Sequence, residues 1–422
     1  MKRIPIDFCT VLGILFGIVA LSMSVTAEEQ SKPTFYRDVL PILQEHCQNC
    51  HRPAGTNLMG MVAPMSLLNY AEVRPWAKAI ARQVSEGTMP PWHASREHDG
   101  VFKNQRTLTD AEIHTLTRWS GQGALRGNPK DAPSLPHFPD ADAWSIGEPD
   151  LVLGFDEPVF VRDEWKDQYV NVFVEIPEDK MPGDRWIQAM EIRPGSEAVH
   201  HVVIFTDDYR ESMGAFRGML GGVGPGTDPT VFPEGYGRHL SKGTGLMFSM
   251  HYHKEPGPGT GLYDRTEIAF RFHDKPVHHE VNWGAVSTFN FSIPPYDPNY
   301  AVRATQRFDT DTTLFALFPH THLRGKAARY RAFYPDGTEE ILLDVPKYDF
   351  NWQTNYIYRT PKHLPAGTRV EVTMWYDNSE ERAELTGIDP SRHVYFGEPT
   401  TDEMMFGWMD YTTSRDAVKS TD

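Results

Sequence analysis

Three groupings of residues in this chain have the types and spacing for redox or metal chemistry. The first is "CQNCH", where Cys47 and Cys50 precede His51. C-x-x-C-H is the attachment signature of a c-type haem, in which both thiols bond the vinyl groups and the adjacent imidazole becomes the proximal iron ligand. A redox-active thiol pair and half of a zinc site are the rival readings. The zinc reading lacks a second cysteine pair, and a thiol-redox motif has no use for the histidine. The second grouping is a series of histidines: His200 and His201 in "EAVHHVVIF", His251 and His253 in "GLMFSMHYHKE", His320 and His322 in "FPHTHLRG". Residues two apart on a strand share a face, so His320 and His322 can grip one ion from rigid backbone. Adjacent His200 and His201 face opposite ways unless the strand twists. The third grouping is Met404 and Met405 in "PTTDEMMFGWMDY". Imidazole suits copper, zinc, iron and nickel, whereas a thioether favours Cu(I), so two histidines with one methionine point to copper. Against each pair alone stands a plain alternative, a histidine on a half-exposed strand or a methionine packed in a core. His114 and the pair His278 and His279 have no partner cluster and take that plain reading.

The iron's sixth ligand has to come from a later loop. "RQVSEGTMPPWHA" offers Met89 ahead of two stiffening prolines, with His93 as its competitor. "MPPW" resembles the distal-ligand segment of small bacterial cytochromes c. Helical patterning surrounds these anchors in "YRDVLPILQEH", "YAEVRPWAKAIARQVSEG" and "TLTDAEIHTLTRWSGQG", the last opening with a Thr-x-x-Glu cap. These elements make a small all-α cytochrome c domain over 28–128. A linker rich in Pro, Asp and Ala follows over 129–148. Beyond it, "DLVLGF", "YVNVFVEI", "HHVVIF", "TEIAFRF" and "RVEVTMWY" read as short strands separated by Pro, Gly and Asp. The expectation is two all-β antiparallel sandwiches of jelly-roll type, over 149–286 and 287–422.

Charge and the N-terminus bound the rest. A formal net charge of −16 argues against a nucleic-acid surface and against anionic membranes. Lys2 and Arg3, an apolar run from Phe8 to Met23 and the small-residue "SVTA" make 1–27 a secretory signal peptide, with a retained anchor helix as the alternative. Cleavage after Ala27 removes Cys9, leaves no membrane span, and places the product in the periplasm or outside the cell.

Taken in order, "HHVV", "MHY", "HTHLRG" and "DEM" resemble the copper- and ascorbate-dependent monooxygenases, the peptidylglycine α-hydroxylating and dopamine β-hydroxylating family. The resemblance runs from about Pro149 to Tyr411. It implies two copper ions beside the covalent haem c. His200, His201 and His251 would hold an electron-relaying copper, and His320, His322 and Met404 the copper at which O₂ and a substrate C–H bond react. His253 is an extra histidine that could replace or modulate His251, and Met405 competes with Met404. Where peptide-hydroxylating members carry a carboxylate-binding arginine and a substrate-contacting tyrosine, this chain has Phe318 and Trp408. The expected substrate is accordingly a more apolar or aromatic small molecule. The expected electron source is an external one-electron donor acting through the haem.

Overall fold

The computed structural model describes residues 32–53, 63–138, 143–206 and 218–418. The expected signal segment, 1–27, lies outside them. The first part is helical: a wide turn over Phe35–Val39 runs into Leu40–His46, followed by Tyr70–Val73, Ala77–Glu86 and Asp110–Gly121. Each stops or starts for a local reason. The Ala77–Glu86 helix ends at Gly87, whose left-handed φ of +69° suits a residue without Cβ. Asp110–Gly121 opens with a capping box: the Glu112 N–H donates to the Thr109 hydroxyl, and the Thr109 N–H donates to the Glu112 carboxylate at 2.7 Å. The helices bury Phe35, Leu43, Leu116 and Trp119 against one another.

After the linker the described strands pair antiparallel, apart from one short parallel pairing and one isolated parallel bridge, and the helix there is Glu380–Thr386, so the described chain is mostly β with few helices. One four-stranded sheet runs Asp167–Glu175, Gly245–His253, Val199–Thr206, Met219–Val223 in spatial order. Its core face adds Val202, Phe248 and Met250 to a cluster shared with Ile187, Ile192 and Phe270 from a second sheet. Period two dictates the rest. On Gly245–His253, Leu246, Phe248, Met250 and Tyr252 go to the core, and His251 and His253 go to the other face.

Two further four-stranded sheets enclose another core. One orders Asn282–Ser287, Phe406–Thr413, Thr312–His320, Tyr356–Leu364; the other orders Tyr300–Arg307, Arg369–Tyr376, Gly325–Phe333, Glu339–Val345. Leu317, Tyr330, Val372, Tyr376 and Met409 fill the space between them. The strand Asn282–Ser287 straddles the expected division at 286/287 and pairs with Phe406–Thr413 along its whole length.

The front of the chain is stitched to this later β-structure. Trp92 and Phe102 are members of its core, and the Trp92 ring lies 5.0 Å from that of Tyr356. The Ser95 N–H donates to the Asp344 carbonyl and the Lys103 N–H to the Ile357 carbonyl, each at 2.8 Å. No helix among the described residues is long and apolar enough to cross a membrane.

Candidate metal centre

His201 and His251 sit directly opposite each other on neighbouring strands, where a cross-strand pair brings side chains closest. The adjacent His200 joins them because the register slips between Val199 and His201. This bulge adds a residue and turns both histidines to one side, which answers the alternation objection. The Nδ1 atoms of His200 and His251 each lie 3.3 Å from Nδ1 of His201. Imidazole ligands about 2.0 Å from one ion at tetrahedral angles stand about 3.3 Å apart. The three residues can therefore hold a metal ion.

Asp167, which no motif in the sequence marks, fixes the tautomer of His251. Its carboxylate accepts from His251 Nε2–H at 2.8 Å, so Nδ1 carries the lone pair turned toward His201. His253 faces Asp167 across the strand pair and reaches the same oxygen through Nδ1, also at 2.8 Å. It thus buttresses the carboxylate rather than entering the three-nitrogen group. Burial pulls the Asp167 carboxyl upward, but the two histidines outweigh it and hold it well below the usual carboxylate range. Tyr169 stacks on His251, ring centres 4.5 Å apart. His200 stacks on Phe350 at 4.2 Å, and its Nε2 is buried with no partner among the described residues.

His320 closes the strand Thr312–His320, and His322 lies past it in a turn, so strand alternation does not place this pair as expected. Their rings are still adjacent, 5.3 Å between centres. The turn is held by Glu403, whose carboxylate accepts the N–H groups of His322 at 2.8 Å and Arg324 at 2.6 Å. Burial drives the Glu403 carboxyl up to about 8, although those two N–H groups pull the other way. Arg324 is buried and donates to Asn378 and to the carbonyls of Thr401 and Asp389. The "DEM" segment is in this way clamped to the "HTHLRG" turn.

Acceptors set the tautomers here too. His322 Nδ1–H donates to the Asp402 carbonyl at 3.3 Å. His320 Nδ1–H donates to Gln353 Oε1 at 2.7 Å, and Gln353 is oriented by its own donation to the Phe350 carbonyl. Nε2 is thus the candidate ligand atom of each ring. Burial separates the methionines. His320 pairs with Phe406, the first residue of its strand; Met404 and Met405 lie just ahead of that strand, and Met405 is wholly buried in the core. Met404 packs against Trp283, Phe318, Phe406 and Trp408. Trp283 stacks on Trp408 at 4.1 Å.

The two histidine groups meet. The rings of His201 and His320 are 5.4 Å apart, and Val203 and Met219 of the first sheet pack on the Trp283–Trp408 cluster of the other. Burial first, then repulsion from the neighbouring imidazoles, holds His200 and His201 far below the ordinary histidine pKa; burial also lowers His322 and brings His320 to about 4. All four are therefore neutral near pH 7, the form that binds metal.

At the front, Cys47, Cys50 and His51 lie on the turn that ends the helix Leu40–His46. Burial pushes the Cys47 thiol up to about 12, with a smaller contribution from Cys50, and burial also raises Cys50. Neither is a low-pKa redox thiol. His51 Nδ1–H donates to the Met65 carbonyl at 3.3 Å, which leaves Nε2 as its ligand atom. Met89 follows Gly87 with 41% of its surface exposed. His93 is lowered by burial, against the pull of Asp349.

Comparison with known proteins adds no family. No family model matches the chain, and no curated protein matches it. Among solved structures, the chain is similar to the major capsid protein P2 of bacteriophage PM2 (10% identity, 64% of this chain and 98% of that one, TM-score 0.25). It is also similar to the infectious bursal disease virus VP2 subviral particle (10% identity, 62% and 70%, TM-score 0.18). Superpositions this poor carry no argument about function.

Proposed function

We propose that this chain is an exported, haem- and copper-dependent monooxygenase that hydroxylates a substrate C–H bond with O₂, receiving electrons singly from an external donor. One observation carries the reading. Two histidine groups meet as neutral imidazoles, His251, His320 and His322 each tying one ring nitrogen to an acceptor, and Met404 packs on the apolar cluster that includes Phe406, the cross-strand partner of His320.

The chemistry of the residues assigns them to the proposed groups as follows. Cys47 and Cys50 would carry haem c through thioethers, with His51 Nε2 as proximal ligand and Met89 as distal ligand. His200, His201 and His251 would hold one copper through Nδ1. His320 and His322 through Nε2, with Met404, would hold the other, and the thioether suits it to Cu(I). Copper supplies one-electron chemistry toward O₂. The protein's own part is to hold the imidazoles neutral and fixed and to offer an apolar wall of Phe318, Phe406 and Trp408 beside Met404. That wall favours an apolar or aromatic substrate. The finer architecture belongs to the same proposal: a signal peptide over 1–27, a cytochrome domain over 28–128, and two copper-monooxygenase-like β-sandwiches after the linker.

The test begins with metal analysis of the purified full-length chain, where about two copper ions per haem iron are expected from the ligand sets. Oxygen uptake with a panel of apolar and aromatic substrates should then be lost in Met404→Ala. Bound haem and copper with no substrate-dependent oxygen uptake would instead make the chain an electron-transfer or copper-binding protein.

A further inference from the structure

We propose that Asp167, His251 and His253 form a binding site for a zinc ion, adjoining the His200 group and sharing the His251 ring with it. The zinc site stands on its own geometry; only the bridge from zinc to copper through His251 rests on the copper reading above.

Two paired strands deliver the three ligands. His251 and His253 are two apart on Gly245–His253 and share a face, and Asp167 is the direct cross-strand partner of His253. One carboxylate oxygen, Asp167 Oδ1, lies 2.8 Å from His251 Nε2 and 2.8 Å from His253 Nδ1. The three ligand atoms all stand within 4.8 Å of one another. The other oxygen, Oδ2, accepts from the Thr400 hydroxyl at 3.2 Å. A carboxylate that only props two imidazoles has two oxygens to divide between them. Here both rings turn to the same oxygen, while the second is held aside. An ion bound at that point replaces the two N–H hydrogens, and a small rotation of the carboxylate opens the contacts toward the roughly 3.3 Å that separates tetrahedral ligands.

The donor set selects the ion. Two imidazoles and a carboxylate, with no thioether or thiolate, suit a divalent ion and not Cu(I). Tyr169 covers a face of His251, and Phe350 stands edge-on to His253 with ring centres 6.2 Å apart. This crowding, with one carboxylate oxygen on offer, favours tetrahedral zinc with a water as fourth ligand over a six-coordinate ion. The His253 and Asp167 side chains keep 20% and 23% of their surface exposed, which gives the ion and that water access. His251 aims its two nitrogens at two groups, Nδ1 at His201 and Nε2 at Asp167. With copper on Nδ1 and zinc on Nε2 the ring is an imidazolate, its Nε2 proton passing to solvent, while His253 carries its own proton on Nε2.

The test uses the full-length protein loaded with haem and copper. Zn(II) is added, the excess is removed by gel filtration, and both metals are counted by elemental analysis. About one zinc per chain is expected, with copper unchanged. His253→Ala and His253→Gln should each retain no zinc and keep the copper of the His200 group, with circular dichroism showing both to be folded. No zinc in the unaltered protein, or equal zinc in both variants, would overturn the site. So would zinc that enters only as copper leaves, because the ion would then occupy the His200 group. The bridge is read by EPR: Cu(II) loaded in place of zinc should couple through the ring and quench the signal of the His200 copper, and an unchanged signal there sinks the bridge. If the chain takes up no copper, the copper reading falls and the zinc count still decides the site.

Discussion

His200, His201 and His251 turn Nδ1 inward from the middle of a sheet, and a buttressed carboxylate, Asp167, stands behind one of them. His320 and His322 present Nε2 from a strand end and a turn, and only neutral groups stand behind them: the Gln353 amide and the Asp402 carbonyl. A carboxylate behind an imidazole makes it a more basic ligand, which favours the higher-charged metal ion. Neutral backing and a thioether favour the lower-charged one. The lesson is that two groups in ring contact can be tuned in opposite senses by what lies one hydrogen bond further out. Such tuning would draw electrons toward the His320 side.

The strongest attack on this contrast is His320→Ala. On the proposed reading it should remove one of two copper ions and abolish substrate-dependent oxygen uptake, while the His200 group retains the other, as read by metal analysis and EPR. Asp167→Asn should weaken copper at the His200 group by about 10- to 100-fold and leave the His320 group unaffected, as read by competitive chelator titration. Equal loss at both groups would mean that they do not act independently. Glu403→Ala should leave two buried N–H groups without an acceptor and cost about 3 kcal/mol of stability, measured by chemical denaturation. It should also loosen Met404 specifically, because Glu403 ties that segment to the "HTHLRG" turn.

Acidity gives a smaller, graded test. The cluster imidazoles have folded-state pKa values below the ordinary histidine value, about 4 for His320. As pH falls through about 6.5, the unfolded chain takes up protons that the native state refuses. The metal-free protein should therefore lose stability between about pH 6.5 and pH 4. Copper should offset the loss in the upper part of that range, where it still outcompetes protons. Melting temperatures with and without copper check this. The smallest effect is expected from Met405→Leu, a volume-conserving core change costing under about 1.5 kcal/mol. It should leave metal content unchanged, whereas Met404→Leu should disturb the His320 group alone.

The sequence was legible where local rules hold. The capping box at Thr109 and the strands "YVNVFVEI", "HHVVIF" and "RVEVTMWY" all follow from caps and alternation. It was less legible where register or a turn overrides periodicity. His200 reaches the cluster only through a bulge that adjacent residues do not announce, and His322 owes its place to Glu403 rather than to the strand.

The residue types alone determined what chemistry this protein can carry: a C-x-x-C-H turn, paired histidines and a methionine are ligands by their lone pairs, wherever they fall. Tertiary structure decided the rest. It brought the two histidine groups into contact, set His253 behind Asp167, and recruited Gln353 and Phe350 from a loop with no motif of its own. It also packed Trp92 and Phe102 into the β-core. The physical reason is range. Ligand identity is a property of single side chains, but which nitrogen of an imidazole is free depends on an acceptor. For His251 and His320 that acceptor is 84 and 33 residues away along the chain.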